Sequence, residues 1–237
     1  MQEKYKYIKN GLLIINLILF YYLMFIGRNQ YLYDMSYLKC ILFMFFNCLF
    51  IFMYGVLKNS EKEYKFNVVC YLILYCILLF VFTFLIGRSS IRFSFNWGYA
   101  ELRVFHTIIS QYKRGSMYSF CKNILGNAVA LIPMSFLLMI KDKKFNNLLK
   151  QFLIIFPSIL LIEVFQGFTH VGSFDVDDII LNYFGTVLFT FLITRFGIID
   201  KIRKVFYWDF KLSNKLKLIM FYSSMILLII FDILIFI

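Results

Sequence analysis

Long apolar runs separated by short basic stretches make up this chain. Seven of them, roughly 10–27, 37–57, 66–87, 122–140, 151–169, 178–198 and 216–237, approach 20 residues each. That is the helix length needed to cross a hydrocarbon layer about 30 Å thick. No water is present there to bond free N–H and C=O groups, so a helix, which bonds its own, is the expected form. The pattern predicts an all-α, polytopic transmembrane bundle of about seven spans, with six as the lower alternative. The first run follows Lys4, Lys6 and Lys9 and lacks a small-x-small cleavage site, so it reads as an uncleaved anchor.

Composition sharpens this. Of 237 residues 62% are hydrophobic and only 16% charged, against about 45–50% and 25% in soluble domains. A secreted disulfide scaffold, a disordered tail and an ordinary cytosolic enzyme are excluded. The five cysteines lie in or beside apolar runs with no Cys-x-x-Cys pair, and read as small buried hydrophobes rather than metal ligands. No cofactor is implied. The net charge of +12 belongs to loops, and no nucleic-acid-binding motif accompanies it. With the N-terminus in the cytoplasm, sixteen Lys and Arg fall in inner segments and eight in outer ones. The positive-inside rule then favours a cytoplasmic N-terminus.

The outer loop 88–121 is more than a connector. Ile91, Phe93, Phe95, Trp97 and Tyr99 alternate with polar residues, the period of a half-buried extended segment. Leu102, Phe105, Ile109 and Tyr112 then recur at helical spacing among Glu101, Arg103, His106, Lys113 and Arg114, as in a helix lying in the membrane interface. A short echo, Phe25-Ile-Gly-Arg28 and Leu85-Ile-Gly-Arg88, marks two outer span ends.

Polar residues inside spans are few and costly. Glu163 and Gln166 share a helical face; Asp178, Asn182 and Gly185 form one stripe, which Asp175 extends into the preceding loop; Asn123 and Asn127 share a face of the fourth run. All map to outer ends of the fourth, fifth and sixth runs. They are the candidate binding residues, with Asp177 and Arg103. Asp175 also suits an N-cap, with Asp177 and Asp178 favoured by the helix dipole. Asn127 and Asn182 also suit interhelical bonding. Arg103, Lys122 or a cation are the available partners of Glu163, and His106 and His170 flank the cluster without metal-ligand spacing. Gly126 and Gly185 suit close helix approach, while Pro133 and Pro157 should kink their spans. Asn16, Asn47 and Asp232 are isolated and read as minor helix contacts.

Three segments carry a family resemblance: Asn123-Ile-Leu-Gly-Asn127 with the apolar run holding Pro133, Ile162-Glu163-Val-Phe-Gln166, and Phe174-Asp175-Val-Asp177-Asp178-Ile-Ile-Leu-Asn182-Tyr-Phe-Gly185. In order and spacing the chain resembles the VanZ-like family of bacterial membrane proteins. An Asn-Leu-Ile-Pro-Phe-like segment often seen in that family is replaced here by Arg103–Ile108, and an Arg often found before the Asp cluster is replaced near Val171. The resemblance divides the chain into amino-terminal extra spans (1–65), a VanZ-like core (66–198), and a basic loop with a last span (199–237). It implies the bacterial plasma membrane and an association with teicoplanin-type glycopeptide resistance, and transfers no catalytic residue. The expectation is a protein that binds a lipid head group, a lipid-linked cell-wall precursor or a glycopeptide in an outer polar pocket, with membrane lipids as partners. An enzyme is the first alternative, with Glu163 as acid or base and Asp177 with Asp178 holding a cation. A lipid or proton-coupled transporter is the second.

Overall fold

A computed structural model describes residues 2–21, 37–80, 100–169, 172–208 and 210–236. They form ten α-helices: α1 (Gln2–Tyr21), α2 (Tyr37–Lys58), α3 (Glu61–Phe80), α4 (His106–Arg114), α5 (Met117–Ala130), α6 (Ile132–Lys141), α7 (Leu148–Thr169), α8 (Val176–Arg195), α9 (Ile198–Phe206) and α10 (Asn214–Phe236). Among the described residues the nearest thing to a sheet is a single bridge between Glu101 and Asp175. Among the described residues six stretches are long and apolar enough to cross a membrane: α2, α3, α5 with α6, α7, α8 and α10. The chain is a multi-pass membrane protein with an all-helical bundle. The first expected span runs beyond α1 into 22–36, outside the described residues. So do both copies of the Gly-Arg echo, the alternating segment 91–99, and His170.

The described residues fall into two compact units, one of 2–21, 37–78, 206–208 and 210–236 and one of 79–80, 100–169 and 172–205. In the first, α2 and α10 pack through Phe50, Tyr54, Phe221 and Leu228, with Tyr5, Ile8, Leu12 and Leu13 of α1 against that cluster. The Lys9 ammonium lies 4.3 Å from the Tyr54 ring centre and 4.4 Å from that of Phe66. Facing aromatic rings stabilise such a desolvated cation by about 2 kcal/mol.

In the second unit the fourth expected span is two helices. Pro133 has no N–H for the Val129 carbonyl, which takes the Leu131 N–H instead, and the helix breaks at Leu131. Pro157, unlike Pro133, does not split its span: α7 is one helix through it. The next residue, Ser158, adds a side-chain bond of 2.8 Å to the Ile154 carbonyl. Gly185 of α8 meets the Ala128 carbonyl of α5 so closely that a Cβ would overlap it. Gly126 has open space around it and serves no such approach.

Polar side chains lock the lysine-bearing end of this unit. Ser135 Oγ donates to Gln151 Oε1 at 2.6 Å and meets Thr190 Oγ1 at 2.9 Å, while Gln151 Nε2 donates to the Phe145 carbonyl at 2.8 Å. Arg203 of α9 is buried; its guanidinium donates to the Met139 carbonyl at the end of α6, to Asn146 Oδ1 at 2.6 Å and to Asp200 Oδ1 at 2.9 Å. The terminal turn of a helix leaves carbonyls without intrahelical donors, and here one planar fork supplies them. Arg203→Met should therefore cost about 2–3 kcal/mol, the price of a lost charge-assisted bond with its acceptors stranded. Arg203→Lys should recover less than half, because an ammonium cannot span the same acceptors. Thermal unfolding in detergent micelles compares the three.

Candidate functional site

The cluster is built around the N-terminus of α8. Asp175 is the N-cap: its backbone is extended and its Oδ1 accepts the Asp177 N–H at 2.9 Å. A cap there is favoured because the first turn has unbonded N–H groups and the positive end of the dipole. The Asp175 N–H in turn donates to Glu163 Oε2 at 3.2 Å. This joins α7 to the start of α8 and places Glu163, buried, beside the same terminus.

Asp177 points elsewhere. Its two carboxylate oxygens accept the N–H groups of Phe105 and Ile108, the latter at 3.1 Å. These are the N-cap and third helical positions of α4, which has no side-chain cap of its own. A carboxylate from another helix thus does what a capping residue ordinarily does. Phe105 sits at φ 61° in the left-handed region, costly for a residue with a Cβ, and the Asp177 bond holds it there. The same junction is sealed by backbone bonds, Glu101 N–H to the Phe174 carbonyl at 2.8 Å and Val176 N–H to the Glu101 carbonyl at 3.1 Å.

Asp178, half-buried, takes a hydrogen bond from the Asn127 side-chain amide of α5. It is also an electrostatic neighbour of Glu163. Asn182 returns its amide to the Asp178 carbonyl at 2.8 Å within α8, and its own carbonyl accepts Thr186 Oγ at 2.8 Å. Asp178 and Gly185 of the stripe therefore meet α5. Gln166 packs its side chain against Gly172. Asn123 is exposed and lies outside the cluster.

Arg103 is not the partner of Glu163. Its Nε and Nη2 each donate to Glu101 at 2.9 Å, and His106 Nδ1 lies 2.8 Å from the same carboxylate. Arg103 and His106 are exposed and Glu101 is partly buried. The Arg103 hydrogen bonds hold the Glu101 carboxyl down to about 2, well under the usual carboxylate range. The neighbouring carboxylates of Asp177 and Asp178 bond different helices, α4 and α5. Among the described residues, no three His, Cys, Asp or Glu side chains are arranged to hold a metal ion.

Beside the cluster, α4 and its flanks present Ile109, Tyr112, Met117 and Tyr118 outward, with Lys113, Arg114 and Lys122 also exposed. Sequence reasoning placed an amphipathic helix here, and the structure has one. It missed that Asp177 holds this helix, because the pairing spans about seventy residues. It also missed Arg203 and the Ser135–Gln151–Thr190 network. The signal for those lay in isolated polar residues at the ends and along the interiors of apolar runs.

Two outcomes follow from this geometry. Asp177→Asn should leave one α4 N–H unpaired and loosen the segment by about 1–3 kcal/mol, read as faster amide exchange confined to 101–114. The Glu101 carboxyl, depressed by its pairing, should keep its contacts from neutral pH down toward its own midpoint and lose them only near pH 2. Arg103→Gln should move that midpoint up toward the ordinary value near 4.3, measured by carbon-13 NMR of the Glu101 side chain.

No curated protein sequence and no solved structure matches the chain. The family model for VanZ/LLP1 matches residues 68–199, more than half of its 237 residues, and the matched span holds every acidic and amide residue of the cluster. The chain belongs to the VanZ/LLP1 family.

Proposed function

We propose that the protein holds an amphiphile at the acidic ends of α5, α7 and α8, on the outer face of a bacterial plasma membrane. The observation that carries this reading is the junction made by Asp177. It ties a short helix with exposed apolar and basic side chains directly to the helix end that carries Asp178 and accepts Glu163 at its N-cap. The two halves suit the two halves of one ligand. Tyr112, Ile109 and Tyr118 fit the acyl–head-group boundary, and Lys113, Arg114 and Lys122 fit phosphate. Asp178, half-buried beside Glu163, calls for donors such as sugar hydroxyls, peptide N–H groups or an amine.

A head group with such donors on a lipid anchor describes a lipid-linked cell-wall precursor, and equally an acylated glycopeptide. The family's association with glycopeptide resistance agrees with either. Orientation rests on the charge asymmetry: the opposite end of this unit carries Lys141, Lys143, Lys144, Lys150 and Lys201, and such clusters stay in the cytoplasm. Asp175 and Asp177 act in this reading as positioning residues, since both are committed to backbone N–H groups. Glu163, Asp178, Asn127 and Gln166 are the residues that meet the head.

Native mass spectrometry of the purified protein tests it. The wild type should carry a co-purified amphiphile. Glu163→Gln and Asp178→Asn should each lower its occupancy about tenfold, matching the loss of a charge-assisted bond of roughly 1.4 kcal/mol. Unchanged occupancy in both variants, at unchanged melting temperature, would sink the reading.

A further inference from the structure

A second binding site lies in the other unit, largely outside the family-matched residues. A half-open groove of about 100 Å³ is lined by Leu13 and Asn16 of α1, Phe43, Asn47 and Ile51 of α2, and Cys70, Ile73 and Leu74 of α3. Its walls are apolar apart from two amides. Asn47 Nδ2 is satisfied within its own helix, donating to the Phe43 carbonyl at 2.9 Å. Asn16 is not: it is 3% exposed, and neither its Oδ1 nor its Nδ2 has a partner. Stranding a carboxamide in this way costs on the order of 1–3 kcal/mol for each group. Both halves of Asn16 thus await a group that donates and accepts.

The groove's position narrows the occupant. Asn16 is seven residues beyond Lys9 along α1, about 10 Å deeper at 1.5 Å per residue. Ile73, a lining residue that is 51% exposed, marks the open side on α3, a candidate membrane span. What reaches that side is aliphatic. Water is a poor occupant, since a buried water needs two to four polar partners and these walls offer one free carboxamide. A charged head finds no counter-charge in the lining. An ester carbonyl would satisfy Nδ2 and leave Oδ1 bare. A hydroxyl satisfies both.

We propose that this groove binds an aliphatic lipid whose free, uncharged hydroxyl pairs with the Asn16 carboxamide. The cavity holds the hydroxyl and the first carbons of the chain; the remainder runs out past Ile73 into the bilayer. The site is independent of the acidic cluster.

Photolabelling of the full-length protein in phosphatidylcholine nanodiscs tests this, with a diazirine-bearing hexadecanol as probe. Adducts should map to peptides containing Phe43–Ile51 and Cys70–Leu74. Excess hexadecanol should remove them and excess hexadecane should not. Asn16→Leu, which deletes the polar partner, and Ile73→Trp, which obstructs the open side while sparing Asn16, should each reduce labelling about tenfold. Equal competition by hexadecane, or undiminished labelling in both variants, overturns the proposal. The competition arm uses the unaltered protein, so it decides the matter even where a variant folds poorly.

Discussion

One helix terminus organises the acidic end of the family core. The start of α8 has unbonded N–H groups and the equivalent of about half a positive charge, and the chain surrounds it with Asp175, Asp177, Asp178 and Glu163. Gathering four carboxylates at a membrane boundary would be prohibitive in bare hydrocarbon. Here each has its own donor. Asp175 takes an N–H of its own helix, Glu163 takes the N–H of Asp175, Asp177 takes two N–H groups from α4, and Asp178 takes the amide of Asn127. The dipole and the donors together make the cluster tolerable. The cluster in turn decides where α4, α5 and α7 meet α8.

The opposite end of the same unit is held by one cation instead. Arg203 brings the end of α6, the turn at Asn146 and the start of α9 together through a single guanidinium. The two solutions are complementary in charge because the helix ends are. Carboxylates collect where N–H groups are unbonded, and a guanidinium collects where carbonyls are. Between them the Ser135, Gln151 and Thr190 side chains bond one another across α6, α7 and α8, as small polar residues do between membrane helices. Lipid-facing positions such as Leu161 and Phe184 stay apolar and exposed. Polar bonds therefore accompany the buried apolar residues Leu138, Ile155, Ile159 and Ile193 on the inside of this unit.

Much of this was readable from the chain. Run length and the scarcity of charge announce helices that cross a membrane, because nothing else satisfies a backbone there. The shared faces of Glu163 with Gln166, and of Asp178 with Asn182 and Gly185, follow from 3.6-residue periodicity and hold in the structure. What periodicity does not carry is direction between helices. Asp177 and Asp178 are adjacent in sequence, so they point about 100° apart on α8. One then serves α4 and the other α5. The same limit hid the partner of Arg103, since two residues on a loop, Glu101 and Arg103, can pair locally before either reaches a span. Gly126 and Gly185 looked equivalent in sequence, and only Gly185 faces a neighbouring backbone.

The acidic residues thus separate by what their oxygens already do. Asp175 and Asp177 are spent on backbone donors, and replacing them would disturb helix starts before it disturbed any ligand. Asp178 remains half-open, next to a Glu163 that accepts one N–H from Asp175. Well-packed apolar residues of similar volume are often as stable as buried acids or more so, so packing alone does not call for Glu163 and Asp178. Around them, acceptors gather at one helix terminus, and Asp177 pins the amphipathic helix α4 alongside.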